Sequence, residues 1–267
     1  MIIVGIETSG LTGSVALHRD DECLEMRWLD QVGRRHAQSL ILELNELLKG
    51  HHLSPRQVDA IAVSHGPGSF TGLRVGLVCA KTFAYATRCQ FVAVDTMVAV
   101  AMNCPADVSD LWVVEDAQRG DFFAGYFARI QGNGWHRTTE IQVVDSEAWL
   151  PQRNPTETIV GRGLLRADVT TTSARCLTSE EWIRPRASMI AAEGHRLLLQ
   201  QSSSKQSSSN TPQLNFSPST RNPTSLHHDP FDFWKAVPVY IRPSAAEEQR
   251  ERRDLQTRDG NYSSESN

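Results

Sequence analysis

Residues 63–86 read VSHGPGSFTGLRVGLVCAKTFAYA, and this stretch decides the fold. An apolar run from Val58 ends at Ser64, and the turn Gly66-Pro67-Gly68-Ser69 swings the chain round. A helix is then predicted over about residues 71–86, with Thr71 as its cap. Gly66, Gly68, Gly72 and Gly76 permit positive φ or a close backbone approach that a side chain would block. Backbone N–H groups at such a turn also suit an anion. A tight strand-to-helix turn with no ligand is the simpler account, since neither GxxxxGK[ST] nor GxGxxG occurs.

Outward from this turn, the strand and helix signals fall into two similar passes. The first opens IIVGIE, turns through TSGLTG, and continues as SVALHR and CLEMRWL. A helix from about His36 to Lys49 carries Leu40, Ile41, Leu44, Leu47 and Leu48 on one face. The strand VDAIAVS, the helix of the opening stretch, the strand QFVAVD and a short helix MVAVAMN complete the pass. The second pass runs LWVVEDA, FFAGYFARI and TTEIQVV, then a short helix at 146–150, the strand ETIVG and a closing helix in RPRASMIAAEGHRLLLQQ. Three strands followed by alternating helices and strands predict an α/β layered fold, and their repetition predicts two related lobes.

These signals divide the chain into a first lobe at 1–106, a second at 107–200 and a return segment at 231–243. Residues 201–230 form a Ser/Asn/Pro-rich linker whose composition cannot bury enough apolar surface to offset its ordering. Residues 244–267 read as a disordered or partly helical tail. The net charge of −4 argues against an autonomous nucleic-acid binder. The five cysteines include no CxxC pair, so neither a zinc knuckle nor a redox pair is signalled. MIIVGIETSG lacks a basic n-region, and its apolar run is too short for a signal peptide or membrane span, so no membrane association and a cytoplasmic location are expected.

The segment GPGSFTGLRVG resembles the signature of the TsaB (YeaZ) family, which is similar in fold to the TsaD catalytic subunit of tRNA threonylcarbamoylation. IETSGLTGSVAL, RRHAQSLILELNELL, EDAQRGDFFAGYF and PVYIR resemble further family segments in the same order. The resemblance implies an actin-like, two-lobed fold of duplicated ribonuclease-H-like units. It also implies a non-catalytic subunit that activates a TsaD-like partner to modify N6 of adenosine 37 in tRNA. A TsaE-like ATPase is expected in the larger complex, with tRNA engaged indirectly and a homodimer possible when the chain is alone. The isolated chain is expected to hold no cofactor, with ATP and metal entering only in the complex.

The catalytic paralogue is expected to bind metal through an NHMEGH-like pair of histidines four residues apart, which share one helix face. Thr96 and Val100 stand at the corresponding positions here, and neither is a useful metal ligand. Glu7 and Asp116 each end the first strand of a lobe, so pseudo-symmetry predicts that they face one cleft. With Gly66, Gly68 and Ser69 they are candidate contacts for a nucleotide or anion, the feature behind an alternative reading as an autonomous actin-like ATPase or phosphotransferase. Both carboxylates merely bonding neighbouring turns is the favoured account, and Asp95 adds a third strand-end carboxylate that would suit a two-metal nuclease. The helix at 71–86 is apolar nearly all round, so it is buried on more than one side, either within the chain or against a second subunit. The resemblance favours a partner, with Leu40, Ile41, Leu44, Leu73, Val75, Val78, Cys79 and Thr82 as the candidate interface.

Overall fold

The computed structural model describes residues 1–29, 36–207, 236–239 and 241. The tail at 244–267 and the Ser-rich tract from residue 208 lie outside the described residues. The first half of the chain forms β1 (Ile2–Glu7), β2 (Ser14–Arg19), β3 (Glu22–Trp28), α1 (His36–Gly50), β4 (Ala60–Ser64), α2 (Phe70–Thr87), β5 (Gln90–Val94) and α3 (Thr96–Ala101). The second forms β6 (Asp110–Asp116), β7 (Asp121–Ile130), β8 (Gly134–Arg137), β9 (Gln142–Asp145), α4 (Ser146–Trp149), β10 (Thr158–Val160), β11 (Arg175–Leu177), α5 (Glu180–Ile183) and α6 (Ala187–Ser207).

The first sheet has the order β3-β2-β1-β4-β5 and the second β11-β10-β6-β7-β8. Counted from the opening strand of each lobe, the two orders are the same. An antiparallel meander (β1-β2-β3, β6-β7-β8) is extended on the other side of its first strand by two parallel strands (β4-β5, β10-β11). This is a duplicated ribonuclease-H-like unit, and the chain has the two-lobed, actin-like α/β fold. In the second lobe the third strand is split, because β9 also pairs with β7. At the break the Tyr126 N–H donates to the Thr139 hydroxyl at 2.9 Å, a side chain standing in for the missing backbone acceptor.

Period-two alternation sorts the first sheet into a bulky and a small face. Val4, Ile6, Ile61, Val63 and Phe91 face the leucines of α1 and the apolar side of α2. Ile3, Ala60, Ala62, Val92 and Val94 face Ile190, Ala191 and Leu198 of α6. On that side the backbones approach closely: a Cβ on Gly5 would meet Ala187 O at 2.1 Å, and one on Gly194 would meet Ala62 Cβ at 2.6 Å. Such contact fixes glycine at both places.

Two helices therefore lie on the sheet that chain order does not assign to them. α6, expected to close the second lobe, packs on β1, β2, β4 and β5 of the first. α3, expected within a first lobe at 1–106, buries Met97, Val98, Val100 and Ala101 against Leu111, Val113 and Phe127 of the second. Apolar periodicity marks a helix face but not the sheet it meets. α6 also runs to Ser207, past the expected start of the linker at 201, and the Ser202 and Ser203 hydroxyls donate to carbonyls one turn back at 2.9 and 3.0 Å. Of the return segment only 236–239 and 241 are described: Ala236 joins the first lobe's core, and the Val239 N–H donates to His65 O at 2.8 Å.

Candidate functional site

The glycine-rich turn is occupied by the chain's own backbone. The Ser69 N–H donates to Ser9 O at 2.7 Å, which sets the turn down on the loop after β1. A Cβ on Gly68 would lie 2.7 Å from Ser9 O, on Gly72 2.0 Å from Thr8 O, and on Gly76 2.2 Å from Thr8 Oγ1. Three of the four glycines thus admit the β1–β2 loop. Gly66, at φ +119°, would meet Val239 O at 3.1 Å, so it admits the return segment. Ser69, rather than Thr71, caps α2 by accepting from the Gly72 N–H at 3.3 Å.

Thr96 and Val100 are both fully buried, and each has a structural task. The Thr96 hydroxyl accepts from the Gly66 N–H at 3.1 Å, and the Thr96 N–H donates to Gly66 O at 3.0 Å, tying α3 to the glycine turn. Val100 fills the second lobe's core. Asp95 caps α3 through Met97 N at 2.8 Å and pairs with Arg137 at 3.3 Å. These positions do not fit an imidazole-held metal. Among the described residues no three His, Cys, Asp or Glu side chains converge on a point.

The lobes meet at a buried charged seam. Glu7 ends β1 and Glu115 is next to last in β6; both are sealed from solvent. Arg162, just after β10, donates from Nε to Glu115 Oε2 at 2.6 Å and from Nη2 to Ser9 Oγ at 3.3 Å. Burial pushes both carboxyls above their usual range, opposed by the Arg162 charge and, at Glu7, by Ser9. Asp116 is not the partner of Glu7. Neighbouring strand residues point to opposite faces, so Asp116 turns outward to Arg166 at 2.8 Å and accepts from the Gln118 N–H at 2.7 Å. The sequence missed Glu115 by one residue and missed Arg162 entirely, although GRG directly after a strand was the available signal.

The candidate interface separates into two sets. Leu40, Leu44 and Leu73 are buried in the first lobe's own core and are not available to a second protein, a correction to the expected surface. Ile41 and Val78 are 64% and 63% exposed, Thr82 is exposed, and Val75 and Cys79 are half-buried. Tyr85, absent from the expected set, is 73% exposed. On α2 the exposed or half-buried positions 71, 74, 75, 78, 82 and 85 recur every three or four residues and make one outward stripe. Burial pushes the Cys79 thiol up to about 11, so it belongs to this surface as an apolar group and not as a nucleophile.

The family model of TsaD, tRNA N6-adenosine threonylcarbamoyltransferase, matches residues 30–170, slightly more than half of the chain. The chain belongs to this family. Within it the chain is a TsaB-type member. It is 29% identical over 127 residues to the tRNA threonylcarbamoyladenosine biosynthesis protein TsaB of Bacillus subtilis, covering 48% of this chain and 55% of that protein. The tRNA N6-adenosine threonylcarbamoyltransferase of Onion yellows phytoplasma is 41% identical over 54 residues, only 20% of this chain and 23% of that one. The chain spans about half the length of the curated TsaB relative it matches. YeaZ from Pseudomonas aeruginosa, at 20% identity, superposes with a TM-score of 0.65 over 90% of this chain and 99% of its own, showing that the TsaB-type fold is shared. No helix among the described residues is long and apolar enough to cross a membrane.

Proposed function

We propose that this TsaB-type chain is an accessory subunit that pairs, through the outward face of α1 and α2, with a TsaD-like catalytic subunit and activates it for N6-threonylcarbamoylation of adenosine 37 in tRNA. The observation that carries this reading is the exposed apolar stripe on α2, Val78 and Tyr85 with half-buried Val75 and Cys79, beside exposed Ile41 on the neighbouring helix α1. A stripe of this kind on two packed helices suits burial against another helical surface. The supporting chemistry is local: Thr96 and Val100 serve hydrogen bonding and packing where the family's metal-binding histidines would stand. The alternative, an autonomous ATPase, is disfavoured because Arg162 already meets the charge of Glu115 and the glycine turn is filled by the chain's own backbone.

Mixing the full chain with a TsaD-like subunit at micromolar concentration and following sedimentation velocity tests the pairing. A heterodimer is expected. Val78→Asp, which places a charge at the centre of the stripe, is expected to weaken it about 100-fold. A heterodimer of undiminished affinity in Val78→Asp and Ile41→Asp would refute the assigned face. No heterodimer with the native chain would refute the pairing itself.

A further inference from the structure

The outward line of α2 alternates charge with apolar bulk. Arg74, Val78, Lys81, Tyr85 and Arg88 follow one another in steps of four and three residues, so they stack along a single side of the helix. Val78 and Tyr85 are largely exposed, Arg74 and Arg88 are exposed, and Lys81 is half-buried. No Asp or Glu occurs between Phe70 and Thr87, so the helix offers these cations no acid of its own. The acids of α1 are engaged with other cations: Glu46 pairs with Lys49 at 3.3 Å and Glu43 with Arg27 at 3.8 Å. The Arg74 guanidinium lies over the Phe70 ring at 3.7 Å, a contact that leaves its charge in place.

Whatever covers both Val78 and Tyr85 also covers Lys81, which stands midway between them on the same line. Arg74 and Arg88 flank that centre and can keep their heads in water at the rim. The Lys81 ammonium instead loses water on assembly, and a buried cation is strongly destabilising unless an acid meets it. We propose, resting on the pairing assigned above, that α2 docks on a helical surface whose carboxylates meet Lys81 and Arg74. The partner is then recognised by acidic residues set among apolar ones. A second copy of this chain brings cations where carboxylates are needed, so the same residues favour an unlike partner over self-association.

Affinity of the full chain for a TsaD-like subunit, followed by sedimentation velocity in about 50 mM and about 500 mM NaCl, tests the charge. At the lower salt Arg74→Gln/Lys81→Gln should weaken the heterodimer about 10-fold, and Arg74→Glu/Lys81→Glu about 100-fold. The higher salt should weaken the native pair and narrow its lead over the Gln variant. A Glu variant that binds as tightly as the native chain, or a Gln variant that binds more tightly, would overturn the acidic partner while leaving the pairing face intact. If the native chain forms no heterodimer, the pairing itself falls, and the charge is decided within the chain. Native protein mixed with Arg74→Glu/Lys81→Glu should then associate at least about 10-fold more tightly than either does alone, and no gain would overturn the acidic partner. Should the Glu variant not fold, Lys81→Gln takes over, with about 5-fold weaker binding to the TsaD-like subunit in support and undiminished binding against.

Discussion

The two lobes share a strand order but not a covering. On its bulky face the first sheet carries two long helices, α1 and α2, whose outward sides keep Ile41, Val78 and Tyr85 in solvent. The corresponding face of the second sheet is sealed by short elements, where Trp149, Leu150 and Leu164 pack on Val114, Phe122 and Ile159. Trp149 meets Trp112 edge-on at 5.2 Å, and the Arg153 guanidinium lies over the Trp149 ring at 4.5 Å. Aromatic bulk and one cation–π stack close there what long helices close in the first lobe. Duplication thus preserved the sheet while the layer above it diverged, into long helices on one lobe and short aromatic-rich elements on the other.

The sharpest way to break that comparison is at one glycine in each lobe. Gly72→Val would drive side-chain atoms into Thr8 O, so the folded first lobe and its cooperative transition by circular dichroism should be lost. Gly120, in the second lobe's QRG turn at φ +87°, has nothing within 4 Å of a built Cβ, and Gly120→Ala should cost only about 1–2 kcal/mol of backbone strain. Next in size is Trp149→Ala, expected to cost about 3–5 kcal/mol in chemical denaturation. Amide exchange should accelerate in β6, β7 and β10 while α2 keeps its protection; equal acceleration in both lobes would show that they unfold as one unit. Val78→Asp reverses the pattern: its effect on stability should stay within about 0.5 kcal/mol although it weakens the proposed pairing.

The smallest effect concerns α6. His18, on β2, is buried with both ring nitrogens unpartnered, facing His195 of α6 and Asp21. Burial, reinforced by the His195 charge, holds its pKa below the usual 6.5. The unfolded chain therefore binds a proton that the folded chain refuses: the contribution is intact above pH 6.5 and is lost as pH falls below it. The raised carboxyls Glu7 and Glu115 act with the opposite sign, so the diagnostic quantity is a difference between proteins. His18→Leu should lose less Tm than the native chain between about pH 7.5 and about pH 5.5, and parallel profiles would exclude His18 as the source.

Most of the architecture was legible in the residues because it is written in local periodicity. Val4 and Ile6 against Ile3, or Ile61 and Val63 against Ala60 and Ala62, fix which sheet face is bulky, and GPGS marks the strand-to-helix turn. What the residues did not reveal depends on contacts distant in sequence. α3 and α6 exchange lobes because each is apolar enough for either sheet. Leu40, Leu44 and Leu73 look like Ile41 and Val78 in composition, and only the helix rotation set by the sheet beneath separates core from surface. Asp116 and Glu115 both lie at the strand end, and the alternation that distinguishes them needs a register that only the paired strand supplies. GRG after a strand marks Arg162 as unusual, but its partners lie 47 and 153 residues away along the chain and only the fold reveals them.

The placement of α6 also sets a timetable for synthesis. The small face of the first sheet, with Gly5 pressed on Ala187 and Ala62 on Gly194, has no cover until a helix more than 90 residues beyond β5 has been made. A ribosome that has delivered all five strands has delivered a half-clad sheet, and closure must await the far end of the second lobe. Long-range closure of this kind is slow and leaves apolar surface open in the meantime. On emerging from the ribosome, the lobe that begins first is therefore the one that finishes last.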